Sequence, residues 1–420
     1  MKTYLILGFI LLTINTLHSQ EAYWTLLNSG VDNRITAIAK DQDSAIWLGT
    51  QSAGLIKYAD GVFTIFNSQN SPFTDSYIWA LAVDQQNNIW IATQDTGLVK
   101  FDGNEWYFFN MNEIAPRSQN NSAWEVEIDD SNNIWVGTYW AGLAKFDGQN
   151  WTLYDDSNSP MINGQMEINA ISFDKNGNLW YGSDHRGFGM FDRVSFWEIY
   201  DIMTWIYCIA IESTNDVWFN GSDLARLSAD SVWSTYGQYN IQRFSNYAIA
   251  VDANDRKWMA QADSSGIFLV EDDNFSLFYP QFPEIQNART YSVYVDKENT
   301  KWIGYTNGYL LKFTGDYPVG ISNLDIQLPN RFYLSQNYPN PFNPSTKISW
   351  QSPVSSWQTI KVFDVLGREV ATLVDEYRNA GYHEVEFSSK IDGKELTSGI
   401  YFYRLTVDSY TDTKKMILLR

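Results

Sequence analysis

Tryptophan recurs along this chain as Trp47, Trp90, Trp135, Trp180, Trp218, Trp258 and Trp302, one roughly every 42 residues. Six residues ahead of each stands an acid: Asp41, Asp84, Asp129, Asp174, Glu212, Asp252 and Asp296. Turn formers such as Asn87, Asn88, Asn132, Asn133, Asn176 and Gly177 lie between acid and tryptophan. Small pairs follow, as in Gly49-Thr50 and Gly137-Thr138, then Gly-Leu at Gly54, Gly97 and Gly142, then Asp-Gly turns at Asp60, Asp102 and Asp147 ahead of an aromatic stretch.

The first copy reads as four strands, Ile35 to Lys40, Ile46 to Thr50, Leu55 to Tyr58 and Val62 to Phe66. A lone four-stranded sheet cannot bury two apolar faces, and stacking such sheets around a closed ring solves this. Seven registers therefore predict an all-β chain built on a seven-bladed β-propeller. The seventh copy ends near Phe313 and Tyr317 without an outer strand, whereas Trp24 to Leu27 is an outer strand without a blade. The leading segment is expected to complete the last blade and remove two sheet edges.

These repeats resemble the two-component-regulator propeller family, whose acid, turn, Ile-Trp-Ile-Gly-Thr and Gly-Leu pattern is matched at 41–55, 84–98 and 129–143. The fifth copy departs, with Glu212 as its acid and no Gly-Leu before Leu224, and the sixth carries Ala260-Gln261 in place of Gly-Thr. The Gly-His and Trp-Asp signatures of WD repeats are absent. The sialidase Asp-box spacing is missed by one residue at Ser172, Asp174, Gly177 and Trp180.

From Phe332 the composition changes. The run Asn337-Tyr338-Pro339-Asn340-Pro341-Phe342-Asn343-Pro344 breaks any strand, and alternating segments then predict a small immunoglobulin-like β-sandwich. With Leu366-Gly367-Arg368-Glu369-Val370, Ser398-Gly399-Ile400-Tyr401 and Lys414-Lys415-Met416, this stretch resembles the type A C-terminal sorting domain of type IX secretion. The resemblance implies passage through the periplasm, recognition by the type IX machinery at the outer membrane, and a secreted or surface location. The expected organisation is a signal peptide at 1–19, the propeller at 20–317, a linker at 318–331 and the sorting domain at 332–420.

The start of the chain fits export: Met1 and Lys2 precede an apolar core, Tyr4 to Leu17, too short for a comfortable span, and Ser19 offers a cleavage position. No later segment is long and apolar enough to cross a membrane as a helix. A formal charge of −20 argues against nucleic acid and anionic lipid as partners. The single cysteine, Cys208, reads as a small buried hydrophobe, and no cysteine cluster offers a metal site. Asp174, Asn176 and Asn178 imitate the opening of a calcium loop but lack its glycine and distal glutamate. Neither metal nor cofactor is expected.

In such a ring the tight turns share one end and the longer loops the other, where binding is expected. Five residues before each acid stand Thr36, Trp79, Trp124, Asn169, Tyr207, Tyr247 and Tyr291. Aromatic side chains here ring the central opening, either to stack on sugars or to pack blade against blade. Tyr139, Trp140 and Arg186 add to this face, so the candidate ligand-binding residues are Trp79, Trp124, Tyr139, Trp140, Arg186, Tyr207, Tyr247 and Tyr291. The repeated acid reads as a turn cap and the repeated tryptophan as a wedge between blades. Two functions follow: a recognition or scaffold protein binding an extracellular glycan or protein, or a hydrolase or lyase, as in propellers resembling streptogramin lyase, with His185 and Asp184 as its weak acid–base candidates.

Overall fold

The computed structural model describes residues 23–73, 77–118, 120–159, 167–184, 188–195, 197–200, 205–221, 224–236, 248–260, 265–271, 274–316, 318, 332–337, 339–352, 354, 356–378, 381–391, 394–407 and 410–419. The expected signal peptide and, apart from Pro318, the expected linker lie outside them. So do His185, Arg186 and Tyr247.

Seven four-stranded antiparallel sheets form a seven-bladed propeller. Blade 1 comprises Ile35–Lys40, Ile46–Thr50, Leu55–Ala59 and Val62–Phe66, each paired with the next. The innermost strands of the other blades are Ile78–Val83, Ala123–Ile128, Ile168–Phe173, Cys208–Ile211, Ile249–Val251 and Thr290–Val295. Blade 7 takes its outermost strand from the other end of the propeller segment. Trp24–Asn28 pairs with Tyr309–Phe313 in the register Trp24↔Phe313 through Asn28↔Tyr309, and Trp24 stacks on Phe313 at 4.1 Å and on Phe278 at 5.0 Å.

The repeat has a single physical cause in all seven blades. Each tryptophan donates its indole N–H to the acid six residues earlier, at 2.8 Å for Trp47–Asp41, 2.9 Å for Trp90–Asp84 and Trp135–Asp129, and 3.2 Å for Trp180–Asp174. The remaining pairs are Trp218–Glu212 at 2.6 Å, Trp258–Asp252 at 3.0 Å and Trp302–Asp296 at 3.1 Å. In the six blades with aspartate, the same carboxylate accepts the backbone N–H four residues on, as from Ala45 to Asp41 at 2.7 Å and from Asn133 to Asp129 at 2.8 Å. The third residue after every acid takes a positive φ, from 59° at Asp255 to 79° at Gly177, which is why Asn and Gly crowd this turn.

The clasp holds each ring where it can wedge the next blade. Trp47 packs with Ile78, Ile91 and Phe101 of blade 2, Trp90 with Val126 and Val136 of blade 3, and Trp302 with Ile35 and Leu48 of blade 1, so the core runs around the closure. The Gly-Leu glycines have an equally local reason. Gly54 has φ +89°, and a Cβ there would meet the Phe66 carbonyl oxygen at 2.1 Å.

The C-terminal domain is a β-sandwich. Tyr333–Leu334, Ser345–Ser352 and Gly381–Ser388 form one sheet, and Glu369–Arg378, Ser356–Phe363, Gly399–Val407 and Tyr410–Leu418 the other. Leu334, Ile348 and Trp350 from the first meet Ile360, Val362, Tyr403 and Leu405 from the second in one core. The proline-rich run has a defined place. The Tyr403 hydroxyl donates to the Ser335 carbonyl at 2.6 Å and accepts from the Asn337 N–H at 2.8 Å, and Phe342 pairs with the last strand through bonds to Ile417 and Leu419.

Candidate functional site

The loop-rich mouth of the propeller is built by a bulge. In blades 1, 2, 3, 4 and 7 the register of the innermost strand skips one residue near its start, between Ile35/Ala37, Ile78/Ala80, Ala123/Glu125, Ile168/Ala170 and Thr290/Ser292. The skipped residues are Thr36, Trp79, Trp124, Asn169 and Tyr291. A bulge re-aims the extra side chain out of the ladder, while its neighbours Ile35, Ile78, Ala123, Ile168 and Thr290 are fully buried between blades.

These positions carry a continuous run of rings. Trp79 lies between Tyr77, 4.0 Å away, and Trp124, stacked at 4.4 Å. Trp124 continues to Tyr139 at 5.9 Å, and Tyr139 to Trp140 at 5.8 Å. At the other end the hydroxyls of Tyr77 and Tyr291 share a 2.8 Å hydrogen bond. Of the sequence candidates, Trp79, Trp124, Tyr139, Trp140 and Tyr291 are therefore joined, the last through Tyr77, whereas Tyr207 pairs with Trp205 at 5.9 Å. Trp79 has a ring neighbour in both Tyr77 and Trp124, and the run ends at Tyr139 and Trp140, both half-buried. Trp140 is held at φ +64°, a costly conformation for a bulky side chain.

What the inner rings leave is their polar edges. Thr36 Oγ1, Trp79 Nε1, Trp124 Nε1 and Asn169 Oδ1 are buried without a hydrogen-bond partner, as is Arg34 Nε. An unmet buried polar atom costs about 1–3 kcal/mol. The Arg34 guanidinium sits 4.6 Å over the Tyr291 ring. Burial works against its charge, but hydrogen bonds and charge interactions with Tyr77 and Tyr291 outweigh this and raise its pKa.

Arg34 and Tyr77 were legible in the sequence, though not in the register that found the bulges. Seven residues before each acid stand Arg34, Tyr77, Ser122, Glu167, Trp205, Ser245 and Arg289; apart from Ser245, which lies outside the described residues, they form a second tier of the same mouth. The backbone carbonyls of Arg34, Tyr77, Glu167 and Arg289 accept equivalent bonds from Gln51, Gln94, Asp184 and Thr306. Arg289 also lines a groove of about 550 Å³ with Ser265, Tyr279, Gln281, Gln286 and Asn287. In blade 4, Asp184 contacts Glu167, whose carboxyl is raised to about 7 by burial and then by Asp184.

Below the mouth, Glu125 and Glu127 occupy the innermost strand of blade 3 where blades 1 and 2 carry Ala37, Ala39, Ala80 and Ala82. Burial raises Glu127 to about 7, and burial with repulsion from Glu127 raises Glu125 well above its ordinary value. No cation pairs with either among the described residues. Nor does any cluster of three or more His, Cys, Asp or Glu among them hold the arrangement a metal needs. No described helix is long and apolar enough to cross a membrane.

Comparison with known proteins agrees with both halves. The family model for the two component regulator propeller matches residues 29–52 and 72–95, and that for the secretion system C-terminal sorting domain matches 336–419. No curated protein matches the sequence. Among solved structures, the extracellular domain of the putative hybrid two component system BT3049 from B. thetaiotaomicron is similar at 15% identity and TM-score 0.57, over 94% of this chain and 57% of its own. This chain thus spans less than two thirds of that domain. Virginiamycin B lyase from Staphylococcus aureus is similar at 14% identity and TM-score 0.57, over 70% of this chain and 99% of its own, and YCF48 from Cyanidioschyzon merolae at 14% and 0.53, over 69% and 98%. At such identities the likeness is one of fold. The chain carries propeller repeats of the two-component-regulator type followed by a type IX secretion sorting domain, which directs it to the outer surface or the extracellular space.

Proposed function

We propose that this exported propeller is a recognition protein that binds an extracellular glycan at its loop-rich mouth. One observation carries the reading: bulges in five blades turn residues out of the ladder at the same height, and the aromatic ones join a single run ending at Tyr139 and Trp140. A frame that accepts unmet polar atoms and a strained tryptophan at one spot does so where function uses them. The groove beside Tyr291 is lined by amides, the hydroxyl-bearing Ser265 and Tyr279, and Arg289, groups suited to sugar hydroxyls. The test is retention of the purified protein on a glycan array and on insoluble polysaccharides. Retention without product, lost in Trp140→Ala, supports the reading, and a protein or peptide ligand competing at the same residues in place of any glycan overturns it.

An enzymatic reading rests on the Glu167–Asp184 contact, where a carboxyl raised to about 7 stands ready to hold a proton at neutral pH. Product release from a polysaccharide, abolished by Asp184→Asn, would favour it.

A further inference from the structure

The propeller's cations are mostly tied to its own acids. Lys40 pairs with Asp296 and Glu298, Arg117 with Asp156, Arg193 with Asp130, Arg226 with Asp216, Arg256 with Asp252, and Lys257 with Glu212. In a chain with 49 acids and 29 bases, such pairing is the default. Lys57, Lys100, Lys145 and Lys312 lie instead over the repeated tryptophans, and among the described arginines of the propeller Arg34 and Arg289 are the two with no carboxylate partner.

Both occupy the position seven residues before their blade's acid, on blades 1 and 7, which adjoin through the ring closure. Tyr291 stands beside them, two residues after Arg289 and 4.6 Å beneath the Arg34 guanidinium. From there Tyr77 leads directly to Trp79 and Trp124. The polar atoms left without partners along this path are chiefly donors: Arg34 Nε, Thr36 Oγ1, Trp79 Nε1 and Trp124 Nε1. The stacking of the rings on one another leaves these atoms buried and unmet. The acid of the same tier, Glu167, is on blade 4.

We propose that the sector formed by blades 7, 1, 2 and 3 is a subsite for a carboxylate-bearing sugar, a uronate residue, with Arg34 and Arg289 as its counter-charges and the Thr36 hydroxyl and indole N–H groups as further donors. This rests on the glycan-binding reading and narrows it to acidic saccharides. A carboxylate is favoured over more highly charged groups because the field of a −20 protein repels multivalent anions, while one buried charge can be met locally by an arginine. A sugar is favoured over a peptide end because the groove beside Arg289 is lined by Ser265, Gln281, Gln286 and Asn287.

The experiment is calorimetric titration of the purified protein with tri- to hexasaccharides that carry a single galacturonate or glucuronate residue on otherwise neutral sugars, and with the neutral oligomers made by reducing that carboxyl group. Acid oligomers are expected to bind at least about 10-fold more tightly than the reduced ones. Arg34→Gln and Arg289→Gln should each shrink that preference, Arg34→Lys should retain part of it, and Trp140→Ala should weaken both series alike. Trp124→Phe, which keeps a ring and removes one donor, provides a second reading should Arg34→Gln unfold, as judged by its melting curve. Equal binding of acid and reduced oligomers, or a preference unchanged in both arginine variants, overturns the subsite and leaves the glycan reading intact. Binding of neither series, or selective binding of tri-alanine with a free C-terminus over its amide and over both sugar series, overturns the subsite; the latter assigns the arginines to a peptide carboxylate.

Discussion

At Asp129 one carboxylate accepts the N–H groups of Ser131 and Asn133, the Asn133 amide and the Trp135 indole. Asp129→Ala should strand at least two of these in a buried turn and cost about 3 kcal/mol, read as a lower urea midpoint. Its pKa shows the same balance, for burial pushes it up and the hydrogen bonds from Asn133 and Trp135 bring it below the ordinary value. Trp140 is the opposite kind of residue, bearing strain at φ +64° that the fold does not need. Trp140→Gly should raise thermal stability, by about 1 kcal/mol before the loss of its contact with Tyr139 is subtracted, while ligand retention falls. A stabilised variant that still binds fully would separate Trp140 from the site.

Between elements, the turn that caps one blade also reaches the next. The positive-φ residue of a blade accepts the N–H that follows the acid of the preceding one: Gln42 to Asn87 at 2.8 Å, Gln85 to Asn132 at 2.8 Å, Lys175 to Asn215 at 3.1 Å, Ser213 to Asp255 at 2.7 Å and Ala253 to Asn299 at 3.0 Å. At the two remaining junctions Gly177 and Ser44 hold the turn position, and ion pairs stand there: Arg193 with Asp130 at 2.7 Å, and Lys40 with Asp296 at 2.8 Å. The closing strand does the same work across the two ends of the ring. Removing residues 23–27 should forfeit its ladder and the Trp24 stack, at least about 5 kcal/mol at roughly 1 kcal/mol per hydrogen bond. Thermal unfolding should then begin in blade 7, seen as loss of amide exchange protection at 309–313. In the sorting domain, Tyr403→Phe leaves the Asn337 N–H and the Ser335 carbonyl unmet. It should cost about 1–3 kcal/mol, with accumulation in the periplasm as the cellular readout.

For the whole molecule, acidity and the axial channel set the pH response. Glu125 and Glu127 face each other's charge and act on Cys208 and Tyr294, with no cation among the described residues to offset them. Their folded pKa values lie above the unfolded ones, so between about pH 4.5 and 7 the folded chain holds more protons than the unfolded chain. Their effect on stability therefore worsens as pH rises through that window. Glu127→Gln, alone and with Glu125→Gln, should stabilise the protein at pH 8 by about 1–3 kcal/mol, allowing for channel water, and should change little at pH 4. Urea titrations at the two pH values check both the size and the sign.

The number of blades, the place of the turns and the sorting domain are written in one dimension, because each depends on residues close in sequence: an acid and a tryptophan six apart, a glycine where φ is positive, a proline-rich run before a sandwich. The closing strand, though it pairs across the whole ring, was legible because the seventh repeat lacks an outer strand and the leading segment is one to spare. The same registers pointed to Trp79, Trp124 and Tyr291 as residues of the mouth. That these rings stack on one another, leaving their N–H edges unmet and Arg34 over Tyr291, was settled only when seven blades closed. Those contacts join residues from different blades, and Arg34 and Tyr291 are 257 positions apart, a separation no local pattern spans. That Glu125 and Glu127 share a face follows from strand alternation alone, whereas the bulge after Ala123 shifts that alternation by one residue and decides which face they share.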